Sequence, residues 1–111
     1  MTGVQTCALP IYIDGAARGN PGPAAFAFVI AQQGQPPVEE SGLLGDKTNN
    51  VAEYTALINA LEKAASLSLD QLHIHSDSEL LVKQMNGEYR VKNADLRELY
   101  DSAQEIGRAH V

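Results

Sequence analysis

The sequence predicts an α/β fold, a mixed sheet of three antiparallel strands, then a crossover helix to a parallel strand, with further flanking helices. Three observations carry this prediction. Phe26, Phe28 and Ile30 alternate with smaller residues, as a half-buried strand requires. After Thr48 the period changes, and Tyr54, Leu57, Ile58, Leu61, Ala64 and Ala65 recur at helical spacing. A second alternating run then sets Leu72 and Ile74 on one face and His73 and His75 on the other. The first connections are short enough for antiparallel hairpins, whereas the helix-long third connection suits a right-handed crossover to a strand parallel to the first.

Taken in order, residues 9–13 read as a short apolar strand that delivers Asp14 at its carboxyl end, ahead of Gly15. Gly19, Asn20, Pro21, Gly22 and Pro23 form a turn segment. The second strand carries Phe26, Phe28 and Ile30, residues 32–37 turn, and residues 38–44 make a weaker third strand. Residues 51–65 contain no Gly or Pro and form the crossover helix, with Asn50 as its N-cap and Glu53 in the capping-box position three residues on. Residues 69–76 are the fourth strand, ending at Asp77. A short helix over 78–86 turns Leu80, Leu81 and Met85 inward and stops at Gly87. After a basic connector at 89–92, a helix over 94–104 buries Leu96, Leu99, Tyr100 and Ala103.

Composition narrows the function classes. With 111 residues, 44% hydrophobic and 20% charged, the chain can build one small core and is neither disordered nor fibrous. No apolar run approaches the roughly 18 residues of a membrane span. The start has neither the basic region nor the apolar stretch of a signal peptide, so the expectation is a cytoplasmic protein with no membrane partner. One cysteine, Cys7, rules out an internal disulfide and any multi-cysteine metal site. Eight basic and 14 acidic residues give a net charge of -6, the wrong sign for gripping phosphate by bulk electrostatics. A nucleic-acid partner must then be held by local contacts, bridging metal ions or an attached basic module.

Both ends read as non-native. Residues 1–10 resemble the translation of a sequencing adapter. The opposite-strand adapter codons GAG ATC GGA AGA GCA CAC GTC encode the closing Glu-Ile-Gly-Arg-Ala-His-Val of 105–111. The native domain is therefore expected over 11–104, and Cys7, Arg108 and His110 are given no role. Setting aside Glu105 and Arg108, one charge of each sign, leaves the net charge unchanged.

Asp14, Glu53 and Asp77 are the candidate chemistry. Each has an ordinary explanation alone: a turn former, a capping-box partner and a helix N-cap. In the predicted topology, however, the two aspartates end neighbouring parallel strands, and the glutamate starts the helix crossing between them. Chemistry in such sheets gathers beyond the strands' carboxyl ends. Three carboxylates drawn together repel unless a cation sits among them, and oxygen-only ligation favours magnesium or manganese over zinc. Two such ions about 4 Å apart can activate water and stabilise the leaving oxygen of a phosphodiester. Asn20, Thr48, Asn49 and Asn50 lie beside the same edge, either as turn and cap residues or as donors to a sugar hydroxyl and base edges. Lys83, Arg90 and Lys92 can meet phosphate or simply be solvated. His73 and His75 are assigned no ligand role.

Three segments identify a resemblance: Tyr-Ile-Asp-Gly-Ala-Ala-Arg-Gly-Asn-Pro-Gly-Pro at 12–23, Thr-Asn-Asn-Val-Ala-Glu-Tyr at 48–54 and Ile-His-Ser-Asp-Ser-Glu-Leu at 74–80. Together they resemble type 1 ribonuclease H. The resemblance implies a ribonuclease H-like sheet and magnesium-dependent endonucleolytic cleavage of the RNA strand of RNA·DNA hybrids. Two Mg2+ ions, with Mn2+ as a substitute, would be held by Asp14, Glu53 and Asp77. It further implies that Asn20 and Asn49 meet RNA 2′-hydroxyls and that Asn50 meets the DNA side. Glu79 stands where many members have glutamine, and an ionised glutamate cannot donate a hydrogen bond. The short connector before the last helix resembles compact forms without a basic handle, so a fused or accessory hybrid-binding domain is expected, on a monomeric complete protein. Members continue past this helix with a fifth strand and a final helix bearing a fourth metal-binding aspartate, so the chain is expected to be a truncated form with impaired activity. Two readings compete with this one: another nuclease of the same superfold, and a non-catalytic hybrid-binding or structural remnant.

Overall fold

The computed structural model describes residues 9–32, 34–67 and 72–109; Cys7, His110 and the expected strand residues 69–71 lie outside these. The elements are β1 (Leu9–Ala17), β2 (Gly22–Gln32), β3 (Gln35–Lys47), α1 (Asn49–Ser66), β4 (Leu72–Ser76), α2 (Glu79–Met85) and α3 (Ala94–Ala109). The sheet order is β3-β2-β1-β4. β2 is antiparallel to both β1 and β3, while β4 runs parallel to β1, as the crossover through α1 demands.

One face of the sheet makes the core. Ile11 pairs with Ile30 and Ile13 with Phe28 across β1 and β2, and all four are buried. Against them α1 sets Tyr54, Leu57 and Leu61, with Ala56, Ala60 and Ala64 fully enclosed beside them. The small residues let the helix lie close to the sheet, and each large side chain removed from water contributes about 1.5–3 kcal/mol. From α3, Leu96 and Ala103 are buried and Leu99, Tyr100 and Ile106 pack at the margin.

Several boundaries differ from those expected, for local reasons. Thr48, not Asn50, is the N-cap of α1: its Oγ1 accepts from Val51 N–H at 3.2 Å. Glu53 therefore lies in the second turn and is no capping-box partner. Ser78, not Asp77, caps α2 by accepting from Leu81 N–H at 3.1 Å. In α2 the buried positions are Leu81 and Gln84, while Leu80 and Met85 are only half-buried. β3 is longer than residues 38–44 because Gln35 already pairs with Gln32, Pro36 and Pro37 falling at a register shift where no ladder pairing is made, and because pairing continues to Lys47; Glu39, Glu40 and Asp46 protect the rim of this edge strand. β1 continues past Asp14 to Ala17, since Gly15, Ala16 and Ala17 still pair with β2. Described structure also extends beyond 11–104 at each end: β1 begins at Leu9, and α3 carries Ile106 against the core.

Gly15 fixes how closely β1 meets α1. A Cβ placed there would lie 2.3 Å from the Ala52 carbonyl carbon and 2.5 Å from the Glu53 nitrogen. These are backbone atoms in the interior of a helix, so neither can yield alone. Gly15→Ala is expected to destabilise the chain by about 1–3 kcal/mol or more, read as a lower urea midpoint. An unchanged midpoint would refute the close approach.

Candidate active site

The parallel pairing of β1 and β4 brings the two aspartates to one level. The last parallel partners are Ile13 and Ser76, so Asp14 and Asp77 each follow by one residue on adjacent strands. Both are exposed. Glu53 approaches from α1, where Gly15 lets the strand touch the helix backbone at Ala52 and Glu53. The three carboxylates that the sequence singled out thus share one end of the β1–β4 pair.

Electrostatics report their proximity. Burial holds the Glu53 carboxyl above its usual range, the Ser78 hydroxyl beside it pulls the other way, and the charges of Asp14 and Asp77 push it up again. The carboxylates therefore feel one another's charge. Among the described residues, no group of three or more His, Cys, Asp or Glu is gathered tightly enough to hold a metal ion. Along the pleat, Asp14 alternates onto the open face with Tyr12 and Ala16, whereas α1 covers the opposite face. The donor set is nevertheless oxygen-only, anionic and opposed to its own charge, the chemistry that suits a hard divalent cation.

The asparagines are tied into the scaffold by their acceptors. Asn49 Oδ1 accepts from Ala17 N–H at 2.7 Å, and Asn20 Oδ1 accepts from Asn49 N–H at 2.9 Å. These bonds fasten the start of α1 to β1 and to the turn before β2. Each leaves the side-chain NH2 as the remaining donor. Thr48 spends its oxygen on the cap, and Asn50 is half-buried in the first turn of α1. Glu79 is paired with Lys83 at 3.6 Å along α2. His73 and His75 do not sit on a covered face: they are exposed, with His75 stacked against Tyr12 at 4.8 Å and against His73 at 4.5 Å.

Two contributors escaped the sequence reading. Gly15 was visible only as a companion of Asp14, and its role depends on a helix 37 residues away in the chain. Ser78 both caps α2 and favours the charged form of Glu53. Its position directly after Asp77 was the available signal.

A profile of the family described as reverse transcriptase-like matches residues 12–109. The chain is 45% identical over 96 residues to ribonuclease HI of Halobacterium salinarum, covering 86% of this chain and 48% of that protein. The crystal structure of that organism's RNase H1 superposes with a TM-score of 0.85 at 41% identity, over 92% of this chain and 78% of that one. The bifunctional protein Rv2228c of Mycobacterium tuberculosis is 42% identical over 98 residues, covering 86% of this chain and 27% of that protein. LC11-RNase H1, isolated from compost and solved in complex with an RNA/DNA hybrid, superposes with a TM-score of 0.84 at 42% identity, over 93% and 78% of the two chains. The chain therefore spans about half or less of the length of the first curated relatives it matches.

The balance at Glu53 has a measurable sign. Its proton is held more tightly in the folded than in the unfolded chain, so its contribution favours folding at low pH. That contribution is lost as the pH rises from the ordinary glutamate value through the raised one. Without divalent cations, Glu53→Gln should raise the melting temperature at pH 7, by a fraction of a kcal/mol because solvent screens this half-exposed group. The gain should vanish below about pH 4. A loss of stability at pH 7 would contradict the opposed-charge description.

Proposed function

The chain belongs to the type 1 ribonuclease H family, and from that membership we propose that the complete protein cuts the RNA strand of RNA·DNA hybrids internally. The products would carry 5′-phosphate and 3′-hydroxyl ends. The observation that carries this reading is that Asp14 and Asp77 follow the last parallel partners of β1 and β4, with Glu53 near enough to feel both charges. Asp14, Glu53 and Asp77 would hold two Mg2+ ions, with Mn2+ able to replace them. When bound, the ions supply the positive charge that activates water and stabilises the leaving oxygen.

The chain's own residues do the rest. Glu53 must be ionised to act as a ligand, and the Ser78 hydroxyl stabilises that form. The remaining NH2 donors of Asn20 and Asn49 fit RNA 2′-hydroxyls, with Asn50 toward the DNA strand and Thr48 holding the helix start beneath them. Glu79, paired with Lys83, offers an acceptor rather than a donor at its position. The acidic surface supports a fused or accessory hybrid-binding domain, and the name of Rv2228c as bifunctional is in keeping with such an arrangement. A cytoplasmic monomer completes the reading. No helix among the described residues is long and apolar enough to cross a membrane.

One observation favours a second reading, a hybrid-binding remnant without cleavage: among the described residues, no group of three or more His, Cys, Asp or Glu is placed to hold a metal ion. The ends enter here as well. Residues 11–104 would be the native partial domain and the flanks adapter sequence, which resequencing of the source DNA across both ends would decide.

In the complete protein, Asp14→Asn, Glu53→Gln and Asp77→Asn should each slow hybrid cleavage by about 10²- to 10³-fold or more, and chelation should abolish it. The 111-residue chain should turn over far more slowly than the complete domain. Hybrid binding without cutting by the complete protein would establish the remnant reading instead. Asn20→Asp and Asn49→Asp keep each acceptor while removing the outward NH2. Folding should survive, and KM for the hybrid should rise about tenfold, the value of one or two lost hydrogen bonds. An unchanged KM would remove these residues from the substrate site.

A further inference from the structure

α2 is only seven residues long, yet only its cap Ser78 separates it from Asp77, which it must keep in place. A helix this short gains little stability by itself. Among the described residues, one side-chain hydrogen bond joins it to α1, next to Glu53 in the chain. At its start, Ser78 accepts from Leu81 N–H at 3.1 Å and lies beside Glu53, whose charged form it favours. At its middle, Gln84 Oε1 accepts from the Tyr54 hydroxyl at 2.7 Å. Gln84 is 4% exposed and Tyr54 1% exposed, and Gln84 is the one buried polar side chain among the described residues outside the apolar core. An apolar pair of the same size would fill this space at no polar cost. The bond therefore calls for a reason beyond packing, and direction is what a hydrogen bond adds.

We propose that the Tyr54–Gln84 hydrogen bond is a positioning device: it anchors α2 to α1 and thereby holds Ser78 and Asp77 in place against Glu53. Sliding or rotating α2 along α1 would break the bond, whereas an apolar contact would tolerate it. Gln104 Nε2, which donates to the Met85 carbonyl at 3.3 Å, steadies the far end of α2 from α3. The link to metal binding rests on the carboxylate reading above; the anchoring itself does not.

The test uses the 111-residue chain with Tyr54→Phe, Gln84→Met and the two changes combined. Each single change strands one buried polar group, so the melting temperature falls. The double variant sets apolar groups face to face and should recover most of that loss. Two further readouts separate positioning from packing. The Leu81 amide, whose partner is the Ser78 cap, should exchange about tenfold faster in the double variant despite the recovered melting temperature. Calorimetric titration with Mn2+ should show about tenfold weaker binding in the same variant. Leu81 exchange equal to wild type in the double variant overturns the proposal, and so does faster exchange accompanied by unchanged Mn2+ affinity. Should the wild-type chain bind no Mn2+, Leu81 exchange alone decides: faster exchange in the double variant supports the anchoring, and equal exchange overturns it.

Discussion

The structure depends on the approach of two backbones at Gly15. Strand β1 lies against α1 so closely that no side chain fits between Gly15 and the peptide joining Ala52 to Glu53. This contact fixes the height of α1 on the sheet, and Glu53 follows from that height because it belongs to the touching peptide. It also explains why α1 is lined by Ala56, Ala60 and Ala64, since larger residues would lift the helix from β1 and β2. Packing and chemistry are therefore not separable here. The geometry that closes the core is the geometry that brings a glutamate to the end of β1.

Around that contact, polar bonds do what apolar packing cannot. The start of α1 is held through Asn49 to Ala17 and through Asn20 to Asn49, so the turn before β2 and the crossover helix move together. On the other side, Gln84 ties α2 to Tyr54 of α1. The three carboxylates sit on three elements, and each pair of elements is joined by either a strand ladder, a backbone contact or a directed hydrogen bond. Such over-determination is needed because the carboxylates themselves push apart.

Much of this was legible in the sequence because it was periodic. The change from strand to helix spacing after Thr48 gave the topology, and the parallel placement of β4 followed from the length of the crossover. The positions of Asp14, Glu53 and Asp77 followed in turn, and their ordinary explanations failed for visible reasons: Thr48 and Ser78 are the caps, which leaves Glu53 and Asp77 without capping work. Which of several adjacent Thr, Asn, Asp and Ser residues caps a helix was not legible, since all have the required short oxygen and only the backbone angle at the boundary chooses among them. The extent of β3 was hidden because Pro36 and Pro37 look like breakers until the register shift that leaves them unpaired is known. The roles of Gly15 and Gln84 were hidden because each depends on a partner far away in sequence, 30 residues in the case of Tyr54 and Gln84.

Charge gives the last step. A protein with a net charge of -6 is repelled by a polyanion at long range, so any affinity for nucleic acid would have to be generated at short range. The acidic end of the β1–β4 pair would worsen that repulsion if it were bare, and its carboxylates already oppose one another through Glu53. A divalent cation reverses both effects at once, relieving the internal repulsion and presenting positive charge to phosphate. Recognition and catalysis would then share one requirement, and the asparagine donors beside the site would need only to select the sugar, since the ions supply the attraction. The arrangement would reconcile a net charge of -6 with a nucleic-acid substrate.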